Sequence, residues 1–222
     1  MVTYNERFNA TFSQPMDFRV FPFDSQKFMI QMEAFSYDKG QVYFTTDSEA
    51  HTPIDEEMNE EWSVVQSKVF VRDESYYHLN PSPTVFSRFV LEIDAKRKVK
   101  RYIWELILPL VLIIGVSWLV FWIKSISDQL STGFTLMLTL VAFNFNTSSM
   151  LPSLPYMTLI ESFITIGYVS VFVVLIIIIL GRTLITEKSP YKYEKLIRIC
   201  RYVLPLCFLA IMLLSSWTFF SR

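Results

Sequence analysis

The run of apolar and polar positions divides the chain near residue 101. Upstream, apolar residues come in short stretches that partly alternate: "KFMIQMEAF" (27–35), "QVYFTT" (41–46), "WSVVQSKVFVR" (62–72) and "TVFSRFVLEID" (84–94). Enrichment in Val, Ile, Phe and Tyr with a period near two predicts four strands. "YDKG" (37–40) and "NPSP" (80–83) supply turn chemistry between them. Downstream, long uncharged runs take over. Stretches 106–123, 162–181 and 202–221 suit apolar helices of ~20 residues. A fourth, 129–160, is longer than one span needs and is broken by "MLPSLPYM", whose Pro152 and Pro155 mark a turn. The pattern predicts four transmembrane helices at about 102–123, 127–149, 155–181 and 197–220. The expected fold is an α+β membrane protein. A partial antiparallel β-sandwich (1–101) is followed by a four-helix transmembrane bundle (102–222).

Composition sharpens this division. The 222 residues are 52% hydrophobic with a net charge of −1, and most acids precede residue 101. Seven acids fall between Asp47 and Glu61, which reads as a solvated loop or a weak divalent-cation site. Their spacing matches no calcium-loop motif. Cys200 and Cys207 stand two turns apart on one helix, too far to bridge. His51 and His78 are isolated, so no metal-ligand spacing exists. No nucleophile motif, phosphate-cradling glycine loop or pair of intramembrane acids is present, so the expectation is no enzyme, no cofactor and no nucleic-acid partner. Glu161 is placed about two turns into the third helix, where an ionised group either has a function or reaches the outer interface. No secretory signal precedes residue 1, although the first hundred residues read as exported, so the start reads as incomplete.

The second helix carries the most informative pattern. Ser131, Thr135, Leu138, Ala142, Phe145 and Ser149 are spaced 4, 3, 4, 3, 4 and fall within an arc of roughly 80°. Asp128 stands one turn below, near the same face. Phe134, Leu136, Val141 and Phe143 are expected on the opposite side, packing on other helices or lipid. Several copies of this helix around an axis would enclose a path lined by hydroxyls, with apolar Leu138 and Phe145 able to close it by dewetting. The alternative is that the Ser and Thr hydroxyls bond back to their own helix carbonyls.

"FPFDSQ" (21–26), "LILPL" (106–110), "AFN" (142–144) and "LPSLPYMT" (151–158) occur in the order found in pentameric ligand-gated ion channels, the Cys-loop receptor family. The chain resembles that family over essentially its whole length, and within it the bacterial proton-gated branch. In animal members two cysteines flank a thirteen-residue loop. The corresponding positions here are Gln14 and Phe28, and their absence resembles the prokaryotic members. So does the short link between Arg182 and Lys195. The resemblance implies that residues 1–101 are the C-terminal part of the extracellular ligand-binding sandwich, beginning near its sixth strand.

Further expectations follow from the resemblance. The protein is a homopentamer in the cell (inner) membrane, passing monovalent cations through a pore lined by the second helix. Asp128 is its selectivity residue; Leu138 and Phe145 are its gate. Asp24 pairs with Arg97 and fastens the sandwich to the pore domain. Phe35, Tyr37, Tyr76 and Tyr77 form part of an aromatic box suited to a small amine-like agonist. Protons are the other candidate stimulus, although Leu140 stands where the proton-gated relative has a histidine. Both termini are extracellular or periplasmic. Charge counts do not decide this orientation, with six basic residues at one end of the spans and seven at the other. The competing readings are a truncated non-conducting fragment, a membrane-anchored binding protein, and a small transporter. The last would favour broken helices and midplane charges.

Overall fold

The computed structural model describes residues 10–46, 60–76, 84–186 and 190–221. Two compact units are present. One comprises Met1–Asp17 and Phe23–Lys98; the other comprises Phe18–Pro22 and Val99–Arg222.

The first unit is built on a three-stranded antiparallel sheet. Its strands are β1 (Ser25–Glu33), β2 (Trp62–Tyr76) and β3 (Thr84–Arg97), in the order β1-β3-β2. Strand β1 reads as its alternation demands: Gln26, Phe28, Ile30 and Met32 turn inward while Ser25, Lys27, Met29 and Gln31 are exposed. Central β3 carries Val90, Ile93 and Ala95, all fully or nearly buried. Register runs from Ser25↔Lys96 to Glu33↔Arg88 on one side and from Trp62↔Arg97 to Tyr76↔Thr84 on the other. A bulge between Val64 and Gln66 interrupts the second pairing.

Three strands form among the described residues, not four. The "QVYFTT" segment (41–46) is not a strand. Strand β1 occupies the edge of β3 as far as Arg88, which leaves only Thr84–Ser87 free for another partner. Only isolated bonds form there: the Lys39 amide, just before the segment, donates to the Val85 carbonyl at 2.8 Å, and the Phe44 amide to Ser87 Oγ at 3.0 Å.

In the second unit, four helices are long and apolar enough to cross a membrane. They are α1 (Lys100–Trp122), α2 (Ile126–Ser148), α3 (Leu159–Leu180, continued by a π turn, Gly181–Thr186) and α4 (Pro190–Phe220). Twenty-three residues of helix measure about 35 Å, enough for a hydrocarbon core of about 30 Å. Helix α1 opens with a π turn over Ile103–Ile107, just before Pro109. Proline has no N–H and its ring clashes with the carbonyl four residues back, here that of Glu105, which loosens the turn. The core joins Leu106, Leu110 and Ile114 of α1, Leu140 of α2, and Ile160, Ile164, Val171, Val174 and Ile178 of α3. Phe21 belongs to the same core, its ring meeting Tyr102 edge-on at 5.1 Å. The Arg19 carbonyl accepts from the Leu159 amide at 2.8 Å, which explains why Phe18–Pro22 groups with the helices.

Helix α3 starts at Leu159, not near Pro155. Thr158 and Glu161 form a reciprocal capping box: Thr158 Oγ1 accepts from the Glu161 amide, and the Glu161 carboxylate accepts from the Thr158 amide at 2.8 Å. Glu161 therefore sits in the first turn, where the helix dipole favours an anion, rather than two turns deep.

Candidate functional site

Helix α2 is capped by Ser125, whose side chain accepts from the Asp128 amide. Its buried positions are Gln129, Gly133, Leu136, Leu140 and Thr147. At about 100° per residue these cluster on one side of the helix. Asp128, Ser131, Thr135, Leu138, Ala142, Phe145 and Ser149 cluster on the opposite side, and all seven are exposed. Leu138 and Phe145 are 69% and 73% exposed. Phe134 differs from expectation: it lies at the border of this face and is exposed, whereas Leu136 is buried.

Packing holds the face in this orientation. Gly133 lies so close to Leu175 of α3 that a Cβ there would stand 2.4 Å from a leucine methyl. The Tyr168 hydroxyl of α3 donates to the Leu140 carbonyl of α2 at 3.1 Å. Gln129 Nε2 donates to the Ile123 carbonyl at 2.7 Å and ties the start of α2 to the end of α1. The hydroxyls of the exposed face do bond backwards: Thr135 to the Ser131 carbonyl and Thr139 to the Thr135 carbonyl, both at 2.8 Å, and Ser149 to the Asn146 carbonyl at 2.7 Å. Exposure and back-bonding coexist.

The second group of residues lies in the sheet unit. Arg97 Nε meets Asp24 Oδ1 at 2.7 Å and Nη2 meets Oδ2 at 3.1 Å, a side-on bidentate pair. Asp24 is 1% exposed and Arg97 6%. The Trp62 ring lies 4.2 Å from the guanidinium carbon, and Glu61 approaches Arg97 Nη1 at 3.7 Å. Gln26 completes the network. Its amide nitrogen donates to Asp24 Oδ2 at 2.8 Å and to the Asp17 carbonyl at 2.6 Å, while its oxygen accepts from the Asp17 amide at 3.2 Å. Gln26 was invisible to motif reasoning as a partner, although it closes the "FPFDSQ" segment on the inward face of β1.

The aromatic candidates are only partly brought together. Phe35 and Tyr76 line one cleft of about 290 Å³ with Glu33 and Phe86. Tyr37 is exposed and does not line it; Tyr77 falls outside the described residues. The Arg88 guanidinium lies 5.9 Å from the Tyr76 ring and pairs with Glu33 at 2.7 Å and Glu74 at 3.1 Å, so the chain's own cation meets that ring. His51, His78 and acidic residues 47–59 also fall outside the described residues. No group of three or more potential metal ligands occurs among the described residues.

Residues 1–99 match the family model described as the neurotransmitter-gated ion-channel ligand binding domain. Over 99% of its length the chain is 27% identical to a protein named proton-gated ion channel from Gloeobacter violaceus. Residues 1–99 thus carry the signature of that ligand binding domain, and nearly the whole chain is similar to a ligand-gated ion channel. Similarity extends to animal proteins. Over 79% of the chain, identity is 25% to a gamma-aminobutyric acid receptor subunit beta-like protein of Drosophila melanogaster and 27% to a gamma-aminobutyric acid receptor subunit beta of Caenorhabditis elegans. The chain spans 60% of the length of the bacterial relative, and 35% and 32% of those of the two animal ones.

Gln14 and Phe28 are the positions that the resemblance assigns to the loop cysteines. The Gln14 side chain straddles Phe28: its nitrogen donates to the Lys27 carbonyl and its oxygen accepts from the Met29 amide at 2.8 Å. Hydrogen bonds from the Gln14 side chain thus hold the segment around residue 14 against β1 at Phe28.

Proposed function

We infer that the chain is a subunit of a pentameric ligand-gated channel whose α2 helices together line a cation pore. One observation carries this reading: the seven positions of the α2 stripe are all exposed, while the opposite face of the same helix is buried against its own bundle. A lone membrane helix bundle has no use for an outward face with a carboxylate, hydroxyls and two large apolar groups in register. Around a five-fold axis the same face becomes an interior, with Asp128 at one mouth, hydroxyls above it, and Leu138 and Phe145 as closable apolar rings. The similarity to this channel family supports the oligomeric state and the gating by a ligand. The orientation with both termini outside places Asp128 at the cytoplasmic mouth. The agonist is either a small amine-like ligand or the proton, and the Arg88 guanidinium against the Tyr76 ring does not favour the amine.

Cysteine accessibility tests the reading. With Cys200 and Cys207 replaced, single cysteines at 131, 135, 138 and 142 should react with a water-soluble thiol reagent and block current. Cysteines at 129, 136 and 140 should not. Equal reactivity of the two sets would overturn the assignment of α2 as pore helix.

A further inference from the structure

Three strands converge on the guanidinium of Arg88. Glu33 of β1 and Arg72 of β2 both stand directly opposite it in register. Arg88 Nε donates to Glu33 Oε2 at 2.7 Å, Nη1 donates to Glu74 Oε1 at 3.1 Å, and Nη2 donates to the Tyr76 hydroxyl. That hydroxyl donates in turn to Glu33 Oε2 at 3.3 Å. Arg72 reaches Glu74 at 3.4 Å, so a carboxylate stands between the two facing guanidiniums. Two cations and two anions balance. The Arg88 side chain is 13% exposed and that of Glu33 25%, so water screens this pair less than a loose surface pair.

The network adjoins the cleft of about 290 Å³ whose walls include Phe35, Tyr76 and Phe86. An apolar cavity of about 150 Å³ already holds benzene, so a single aromatic ring fits this volume. An organic ammonium ion entering here would need a carboxylate, an oxygen lone pair or a ring face. Arg88 already engages one of each. Glu33, the one charged group lining the cleft among the described residues, is ion-paired to it. The Tyr76 hydroxyl accepts from it, and its guanidinium carbon lies 5.9 Å from the centre of the Tyr76 ring. A second cation would approach Arg88 with the nearest counter-charge already neutralised. A site gains specificity from what it repels as well as from what it attracts.

We propose that Arg88 is the specificity-determining residue of this cleft, which accepts small uncharged aromatic molecules and turns away organic ammonium ions. The aromatic walls hold the ring of the ligand, and the guanidinium keeps Glu33 and Tyr76 from drawing in a cation. Removing that guanidinium would free both groups and reverse the preference. The inference rests on reading the cleft as a ligand site. It removes the amine from the two stimuli above and adds an uncharged aromatic ligand to the proton. It requires nothing of α2.

The full chain, purified in detergent, is titrated at neutral pH with benzyl alcohol and with benzylammonium, which share a ring and differ in charge. Binding is read by ligand-observed NMR against protein-free micelles. The unmodified protein should bind the alcohol more tightly than the ammonium. In R88Q the ammonium should gain about fivefold while the alcohol stays within twofold. R88K, which keeps the charge, should still exclude the ammonium. F35A, a change at a fully exposed ring, should weaken binding of the alcohol. A preference of the unmodified protein for the ammonium would overturn the proposal, and this comparison needs no variant to fold. No gain in a folded R88Q, or an equal gain in R88K, would overturn the role of the Arg88 charge. Alcohol binding unchanged in F35A would overturn the site. No current is recorded, so a failure here leaves the pore assignment where it stands.

Discussion

Gln26 and Asp24, two residues apart at the start of β1, share a buried hydrogen bond of 2.8 Å, which leaves the carboxylate accepting from both Gln26 and Arg97. The chain passes between the two units at three places, after Asp17, before Phe23 and after Lys98. Gln26 bonds to Asp17, Asp24 follows Phe23, and Arg97 precedes Lys98. One network therefore ties all three.

Breaking the ion pair should be expensive. Replacing one member of a buried pair strands the other, at a cost of about 3–5 kcal/mol. Asp24→Asn and Arg97→Gln should each lower unfolding stability by about that amount or prevent assembly, and the swap D24R/R97D should recover part of it. Denaturation midpoints and size-exclusion profiles measure this. Two mild singles with an unimproved swap would remove the pair from any role in coupling.

Leu138 gives the test of the gate. Leu138→Ser turns an exposed apolar side chain into a wettable one and should raise the resting open probability. Patch recordings check it. A closed baseline equal to the unmodified protein's, at equal surface expression, would assign closure elsewhere, first to Phe145.

Asp128 gives the test of selectivity. At about 5 Å in bulk water one carboxylate attracts a monovalent cation by roughly 0.8 kcal/mol, and five copies acting together exceed the ~1.4 kcal/mol of a tenfold preference. Asp128→Asn should shift the reversal potential in a sodium chloride gradient toward the chloride value. Because Ser125 supplies the helix cap, the substitution should leave folding intact. An unmoved reversal potential would shift the filter to the Ser131 level.

The Thr158–Glu161 box predicts a structural phenotype without an ionic one. Glu161→Ala should destabilise the start of α3 by about 1 kcal/mol and leave ion selectivity unchanged. Thermal unfolding and reversal potentials separate the two. A changed selectivity would show that Glu161 faces permeating ions.

Lys27 and Glu92 pair across β1 and β3 at 2.6 Å. The hydrogen bond from Lys27 holds the Glu92 carboxyl below the usual carboxylate range, and the same bond raises Lys27. The folded pKa of Glu92 is therefore below the unfolded one. Stability from this group is complete above the unfolded value and is lost as pH falls through the folded one. Both side chains are solvent-accessible, so the effect is small. In K27M the Glu92 titration, followed by carbon NMR, should move up; no movement would remove Lys27 as the cause.

How much of this was legible in the sequence depends on whether the signal was local. Helix existence was, because uncharged runs of twenty residues have few other destinations. Pro155 points to an earlier start for α3 than the structure has, although "TLIE" (158–161) spells a capping box directly before an apolar run. The 41–46 segment has strand composition yet joins no sheet edge, and which edge a segment joins is a tertiary fact. The inward turn of Gln26 follows from β1 alternation; its bond to Asp17 does not. Nor does any periodicity collect Lys124, Arg182, Arg198 and Arg201, which the sequence offered only as counts for topology. They meet because helix ends separated by up to 77 positions share one end of a bundle.

Thr135, Thr139 and Ser149 each commit the hydroxyl proton to a carbonyl of their own helix. What these groups turn outward is therefore lone pair alone. In the proposed pore, a sodium ion shedding part of its water would meet oxygen ligands on that surface. A chloride ion, which needs O–H or N–H directed at it, meets no donor from these three. Such a polarity is written into the backbone bonding of α2 and carries no ionisable group. It would persist whatever the pH, since none of these three hydroxyls titrates.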